Sequence, residues 1–428
     1  MSTPAVASPG WSGSVGDGLR YGALGLPLAF VALPLYVVLP NHYASAFGVP
    51  LATLGALLLG ARLLDAVADP LIGGAVDRWF QRGLRGVLVA AVAAAVVLAL
   101  GFRGLFFPPA AAQQGPALLW WCAVLLAVTY LSYSVLSVLH QAWGARLGGG
   151  EAQRARIVSW REGLALLGVL VASVLPSLAG LGVSSLVFGL LLAVGVALLM
   201  RAPQPAVEMA VPHAALPWSA PLQTPAFRRL LAVYLVNGIA SAVPATLVLF
   251  FIRDRLQQPA WEPLFLASYF AAGALSMPLW VRVVARLGLA RAWLAGMALA
   301  VAAFVWAAGL GAGDGAAFVA VCVASGVALG ADLALPGALL AGVIQRAGHG
   351  GRLEGAYFGW WNFATKLNLA LAAGIALPLL ALFGYAPGSR NADALQALTL
   401  AYCLLPCVLK LLAAALLWWR WIRHPEEA

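Results

Sequence analysis

The sequence predicts an all-α integral membrane protein, with twelve transmembrane helices in two six-helix halves. Three observations predict it. Of the 428 residues, 63% are hydrophobic and only 9% charged, against about 25% charged in a soluble domain. Apolar runs of the roughly 20 residues that a spanning helix needs recur along the whole chain, whereas barrel strands would be short and alternating. The basic residues gather in alternate connections, so the net charge of +10 marks membrane topology and not a nucleic-acid partner.

The polar segment 1–18, MSTPAVASPGWSGSVGDG, lacks the basic start and short apolar core of a cleaved signal peptide. The first span is expected to act as an uncleaved signal. It runs from about Leu19 to Ala44, with Pro27, Pro34 and Pro40 as kinks that neighbouring helices can accommodate. The second covers about Pro50 to Val76 and is followed by the basic turn DRWFQRGLRG. The third (Leu84 to Phe106) and fourth (Ala117 to Gly144) flank a proline-containing outer loop. A second basic connection holds Arg146, Arg154, Arg156 and Arg161, ahead of helices at Ile157 to Ala179 and Val183 to Met200. The proline-rich break 201–226 reads as a cytoplasmic linker between the half 19–200 and the half 227–422, and His213 within it as a solvated loop histidine. The second half reads as helices at Phe227–Ile252, Pro263–Val284, Arg291–Leu310, Ala316–Ile344, Glu354–Phe383 and Ala394–Trp421, with a short tail 423–428.

With both termini in the cytoplasm of an inner (cell) membrane, eighteen arginines fall on inner segments. Only Arg103, Arg253, Arg255 and Arg390 fall on outer ones. The junctions GGAVDRWFQRGLRG and PLWVRVVARLGLARAW place a basic cluster and a glycine at the same point of each half. Six plus six helices with basic inner turns is the major facilitator pattern. The four cysteines lie in apolar runs and read as packing residues. No Ser–His–Asp grouping, HExxH or phosphate-cradling loop appears, so no enzyme and no resident cofactor is expected.

Chemistry concentrates in ARLLDAVADPLIGGAVDRW, Ala61 to Trp79. Arg62, Asp65 and Asp69 are three and four apart and therefore share one helix face. Charge at membrane depth is costly and faces a cavity or a partner. Pro70 frees the carbonyl of Ala66. Two carboxylates beside a free carbonyl suit a small hard cation, and no Cys or His is near enough to suggest a soft metal. A purely structural ion-pair cluster is the alternative. Lys366, deep in its span, calls for a carboxylate partner, with Asp65 or Asp69 the candidates. Asp332 either contacts solute or pairs with a neighbour, and Lys410 reads as locally paired. His140 and Gln141 line a cavity or serve as hydrogen-bonded structure. Trp143, Trp360 and Trp361 offer a stacking face or belong to interfacial belts.

The stretch matches R-x-x-D-A-x-x-D-P-x-x-G-x-x-x-D-R through Arg62, Asp65, Ala66, Asp69, Pro70, Gly73, Asp77 and Arg78. It resembles the second-helix signature of the glycoside–pentoside–hexuronide:cation symporters. GRLEGAYFGWWNFATKLNLALAAGIALPLLALFGYAPG and RARIVSWREG are similar to two further segments of that family. The resemblance implies a cation-coupled symporter working by alternating access, with a small solute and Na⁺ or H⁺ (Li⁺ also fitting) as partners, a lipid bilayer around it and a monomeric state. It implies Asp65, Asp69, Ser134 and Lys366 at the cation site, with Arg62 in their charge network. Asp77 and Arg78 would form a cytoplasmic latch. Arg161 is implied near the solute, and Ser137, Gln141, His140, Trp361 and Asp332 are further solute-site candidates. The chain departs from the family pattern at Leu26, Pro27 and Ser137, where the sugar-binding members carry acids. The resemblance implies a sugar-like or glycoside-like solute, while the missing acids suit the alternative, a lysolipid or other amphipathic molecule. A transporter-derived receptor without flux is the competing class.

Overall fold

A computed structural model describes residues 10–205 and 216–423. His213, the first nine residues and the tail from His424 on lie outside the described residues. Ten helical segments are long and apolar enough to cross a membrane. One of them, Glu151–Leu199, is broken at Gly180, whose φ of 77° and ψ of 170° are not helical, into legs 151–179 and 181–199. A further helix, Leu51–Gln81, carries the charged stretch. The described residues thus form twelve long helical legs and no strand, consistent with twelve spans.

In chain order these are α1 (Val15–Phe47), α2 (Leu51–Gln81), α3 (Leu84–Phe106), α4 (Gly115–Arg146), α5 (151–179) and α6 (181–199). The remaining six are α7 (Pro225–Arg255), α8 (Pro259–Leu287), α9 (Leu289–Ala307), α10 (Gly315–Arg346), α11 (Glu354–Leu382) and α12 (Ala392–Ile422). Apolar side chains such as Leu178, Leu275 and Leu382 are about 80% exposed, as a lipid-facing surface requires. In α1 the turn Pro34–Val38 is a π-turn. Pro34 has no N–H to give, and the widened turn absorbs the mismatch.

The expected basic connection 146–161 is corrected. The turn between α4 and α5 is only 147–150, because Gly148 and Gly149 adopt positive φ and reverse the chain within four residues. Arg154, Arg156 and Arg161 therefore lie on α5, and Arg146 is an interior residue of the last turn of α4.

Contacts divide the chain into two compact units. The first holds the chain up to Pro221 together with Ile344–Trp360, and so takes in the start of α11. The second holds Leu222–Val343 and the chain from Trp361 on. In the first, α1 lies against α5 and α6, with Phe30 stacked on Phe188 and Phe188 packed on Phe102. The core of the second is built on Leu247, Phe251, Phe265, Phe318, Leu398 and Tyr402, with the Phe251 and Tyr402 rings stacked at 4.3 Å.

The second unit also contains a closed polar network. Lys410 on α12 donates to Asp332 on α10 (2.6 Å) and to Asn237 (3.0 Å) and Ser241 (3.1 Å) on α7. Asp332 further accepts from Asn237, Ser241 and Trp293 of α9. All three ammonium protons have acceptors, so four helices are tied together without an uncompensated charge. Of the two expectations for Asp332, the geometry gives the neighbour pair. Lys410→Met should cost about 3–5 kcal/mol, because it leaves a buried carboxylate unpaired. Asp332→Asn added to it should recover much of the loss, as read by thermal unfolding of the purified protein.

Candidate functional site: the aspartate face of α2

Asp65, Asp69, Gly73 and Asp77 follow one another at intervals of four along α2, and so form one stripe along the helix. Asp65 and Asp69 are buried, at 3% and 0% exposure. Ser134 on α4 donates its hydroxyl to Asp65 at 2.6 Å, which brings together two residues that the sequence places far apart. Pro70 is accommodated inside the helix, and its ring leaves the Ala66 carbonyl without the usual donor. Ser134 and Asp65 are in contact, and Asp69 and the Ala66 carbonyl lie within about one turn of Asp65 on the same helix; all four are oxygen donors suited to a hard cation. Among the described residues no group of three His, Cys, Asp or Glu is arranged to hold a metal ion.

Arg62 lies over the ring of Tyr36 on α1, 4.0 Å from its centroid, and Tyr36 in turn meets Tyr130 of α4. The ring quadrupole attracts the guanidinium and holds it one turn from Asp65 on the same helix. Tyr36 escaped sequence reading because nothing in α1 marks it from its neighbours. Lys366 is half-buried on α11 in the second unit, whereas the aspartates belong to the first.

The lower end of the stripe meets the start of α11. A Cβ on Gly73 would lie 2.2 Å from the Gly355 carbonyl, and one on Gly359 would lie 2.4 Å from that of Asp69. This close approach lets Asp77 accept from the backbone N–H groups of Gly355 and Ala356, both at 2.8 Å. These are first-turn amides of a helix, where an anion is favoured. Arg146 completes the clasp. It pairs with Asp77 and with Glu354 at 2.9 Å each, donates to the Gly351 carbonyl and stacks on Phe80.

The basic partner of Asp77 is Arg146. Arg78, named with Asp77 as a latch residue, is exposed. Successive helical residues point about 100° apart, so Asp77 and Arg78 cannot face the same way. Arg146 was hidden by its reading as a loop base. Glu354 stood in the GRLEG segment without a partner to suggest its role.

Beside the clasp, His349 meets the Tyr357 hydroxyl at 2.8 Å. Burial and Arg352 hold its pKa below the ordinary histidine range. The neutral form is the one that folding favours, so its contribution is complete above about pH 6.5 and is lost as pH falls through the lowered value. Unfolding temperature should fall between about pH 7 and pH 5, and His349→Gln should flatten that slope.

The other solute-site candidates divide. His140 is buried at 1% and bonds the Tyr21 carbonyl at 2.8 Å, so it joins α4 to α1. Trp361 is stacked on Tyr234 at 3.7 Å, and Tyr234 bonds Thr365. Trp143 is interior, donating to the Pro203 carbonyl, and so belongs to neither an interfacial belt nor a stacking face. Gln141 donates to Ser137 at 3.0 Å on a half-buried face of α4. Arg161 on α5 pairs with its neighbour Glu162.

A family model described as MFS/sugar transport protein matches residues 20–422. The chain belongs to this family. Its members are membrane transporters, and the chain is accordingly a multi-pass transporter and not an enzyme. The chain is similar to two curated Escherichia coli proteins. It is 29% identical over 136 residues to the inner membrane symporter YicJ, and 31% identical over 160 residues to the putative glycoside/cation symporter YagG. Those matches take in 31% and 37% of this chain, and 28% and 34% of the relatives' own lengths. The fold is that of solved major facilitator transporters. FucP in its outward conformation aligns with a TM-score of 0.66 at 14% identity, over 93% of this chain and 98% of the other. The human organic anion transporter TETRAN aligns at 0.65 and 18%, over 94% and 98%.

Proposed function

We propose that the protein is a cation-coupled symporter that carries a sugar or glycoside-like solute across the cell membrane by alternating access, as a monomer with both termini in the cytoplasm. The observation that carries this reading is the oxygen cluster of Asp65, Ser134 and Asp69, buried at membrane depth on the helix face that runs into the clasp. Two buried carboxylates one turn apart call for a compensating positive charge. Na⁺, Li⁺ or a proton supplies that charge. Arg62, on the same helix, balances part of the charge of the site when the cation is absent. Because α2 carries both the cation ligands and the clasp, a change in the charge of the site acts directly on the helix that holds α11. Solute and cation then raise each other's affinity by the same factor. The likeness to glycoside/cation symporters supports a sugar-like solute.

The test is uptake of radiolabelled glycosides into proteoliposomes, with inward Na⁺, Li⁺ or proton gradients imposed one at a time. Accumulation above equilibrium with one of these gradients, and its collapse with an ionophore, is the expected result. Equilibration that ignores all three gradients would reject coupling.

A further inference from the structure

Three described carboxylates of the first unit take no part in the cation cluster or the clasp: Asp17 and Glu151, which stand in the first turns of their helices, and Glu162, which stands within α5. Glu162 on α5 lies eleven residues beyond the helix start at Glu151, about 16 Å along the axis at 1.5 Å per residue. Arg161 donates both its Nε (2.9 Å) and a terminal nitrogen (2.6 Å) to the same oxygen, Oε1 of Glu162. Arg161 packs against α1. A Cβ on Gly25 of α1 would lie 2.5 Å from the Arg161 carbonyl and 3.4 Å from its side-chain Cγ, so Arg161 is laid along α1. Yet the pair is not sealed. Its side chains are 11% and 20% exposed, whereas Asp65 and Asp69 are buried. On α4, Tyr133, Ser137 and Gln141 stand four residues apart and are half-buried, forming a polar stripe.

We infer that Glu162 is a specificity-determining residue that accepts hydrogen bonds from the hydroxyls of a neutral glycoside, with Arg161 donating to adjacent oxygens of the same ring. The inference rests on the sugar-like solute proposed above. An ion pair with zero net charge that presents an anionic acceptor beside fixed donors matches vicinal hydroxyls, which both donate and accept. A net anion would meet Glu162 and two aspartates and be repelled. The chain has Leu26, Pro27 and Ser137 at the positions noted above, so none of these supplies a carboxylate acceptor. Glu162 was overlooked in the sequence because it stands beside an arginine, where a local ion pair explains it equally well.

The experiment measures uptake of methyl glucoside, methyl galactoside and methyl xyloside, with their monodeoxy forms, by wild type, Glu162→Gln and Glu162→Asp. The expected result is a KM about tenfold or more higher in Glu162→Gln, one charged hydrogen bond's worth, with the cation concentration for half-maximal uptake unchanged and Glu162→Asp in between. Removing the one hydroxyl that Glu162 binds should raise KM in wild type and leave Glu162→Gln unaffected. An unchanged KM in Glu162→Gln, or equal deoxy penalties in both proteins, would overturn the inference and leave Glu162 as a support for Arg161. If the variants do not fold, the wild type decides. The best glycoside should slow dicyclohexylcarbodiimide labelling of Glu162 but not of Glu151, and no such protection is again a refutation. Wild type that carries none of the glycosides overturns the sugar reading itself, and this inference with it.

Discussion

Asp65→Asn should abolish cation-driven accumulation while leaving a folded protein. Asn keeps the size of the side chain and still accepts from Ser134, so the bond at 2.6 Å is weakened and not orphaned. What disappears is the negative charge. A hydrogen bond to a charged group contributes about 1.5–3 kcal/mol, and 1.4 kcal/mol is tenfold in affinity. The apparent cation affinity should therefore fall by roughly 10- to 100-fold. Asp69→Asn should behave alike, since Asp69 lies one turn further along the same face and is fully buried. Ser134→Ala should cost less, because it removes a neutral donor. Uptake against cation concentration checks the order, and facilitated solute equilibration without cation coupling is the residual activity expected.

Arg146→Ala is the second large effect, and here the loss is of stability as well as of transport. The guanidinium is 1% exposed and stands between two carboxylates that are 4% and 0% exposed. Its removal leaves both uncompensated, at a cost of about 3–5 kcal/mol. For a chain of this size that corresponds to an unfolding temperature lower by about 3–6 °C. Arg146→Lys should recover only part, since an ammonium is a point donor and cannot bridge two carboxylates and the Gly351 carbonyl with a planar fork. Asp77→Asn combined with Glu354→Gln should be better tolerated with Arg146→Ala than Arg146→Ala alone. That pattern separates a clasp from a binding residue, for which such rescue has no physical basis.

What the sequence made legible follows from the range over which each signal acts. The spans are set by local hydropathy, and the spacing of Asp65 and Asp69 fixes a shared face within one helix turn, so both could be read directly. Helix ends were less legible. The turn at Gly148 and Gly149 is tighter than a charge-rich connection suggests, and so α5 begins at Glu151. The ion pairs were least legible. Arg146 reaches Gly351 across 205 residues and Lys410 reaches Asp332 across 78, and no local pattern says which distant carboxylate a buried base will find. Arg78 shows the limit of adjacency. It follows Asp77 in sequence, but helix geometry turns it to the surface while Asp77 is buried.

The account stands most directly on the thermodynamic linkage between cation and solute. The decisive measurement is the dissociation constant of the best-bound glycoside for the purified protein, by isothermal titration calorimetry, with and without saturating Na⁺ and across pH. The account predicts tighter glycoside binding when one coupling cation is present, with the same factor recovered when cation binding is measured with and without glycoside, and loss of the difference in Asp65→Asn. Glycoside binding of equal strength in every ionic condition, in wild type and Asp65→Asn alike, would contradict it.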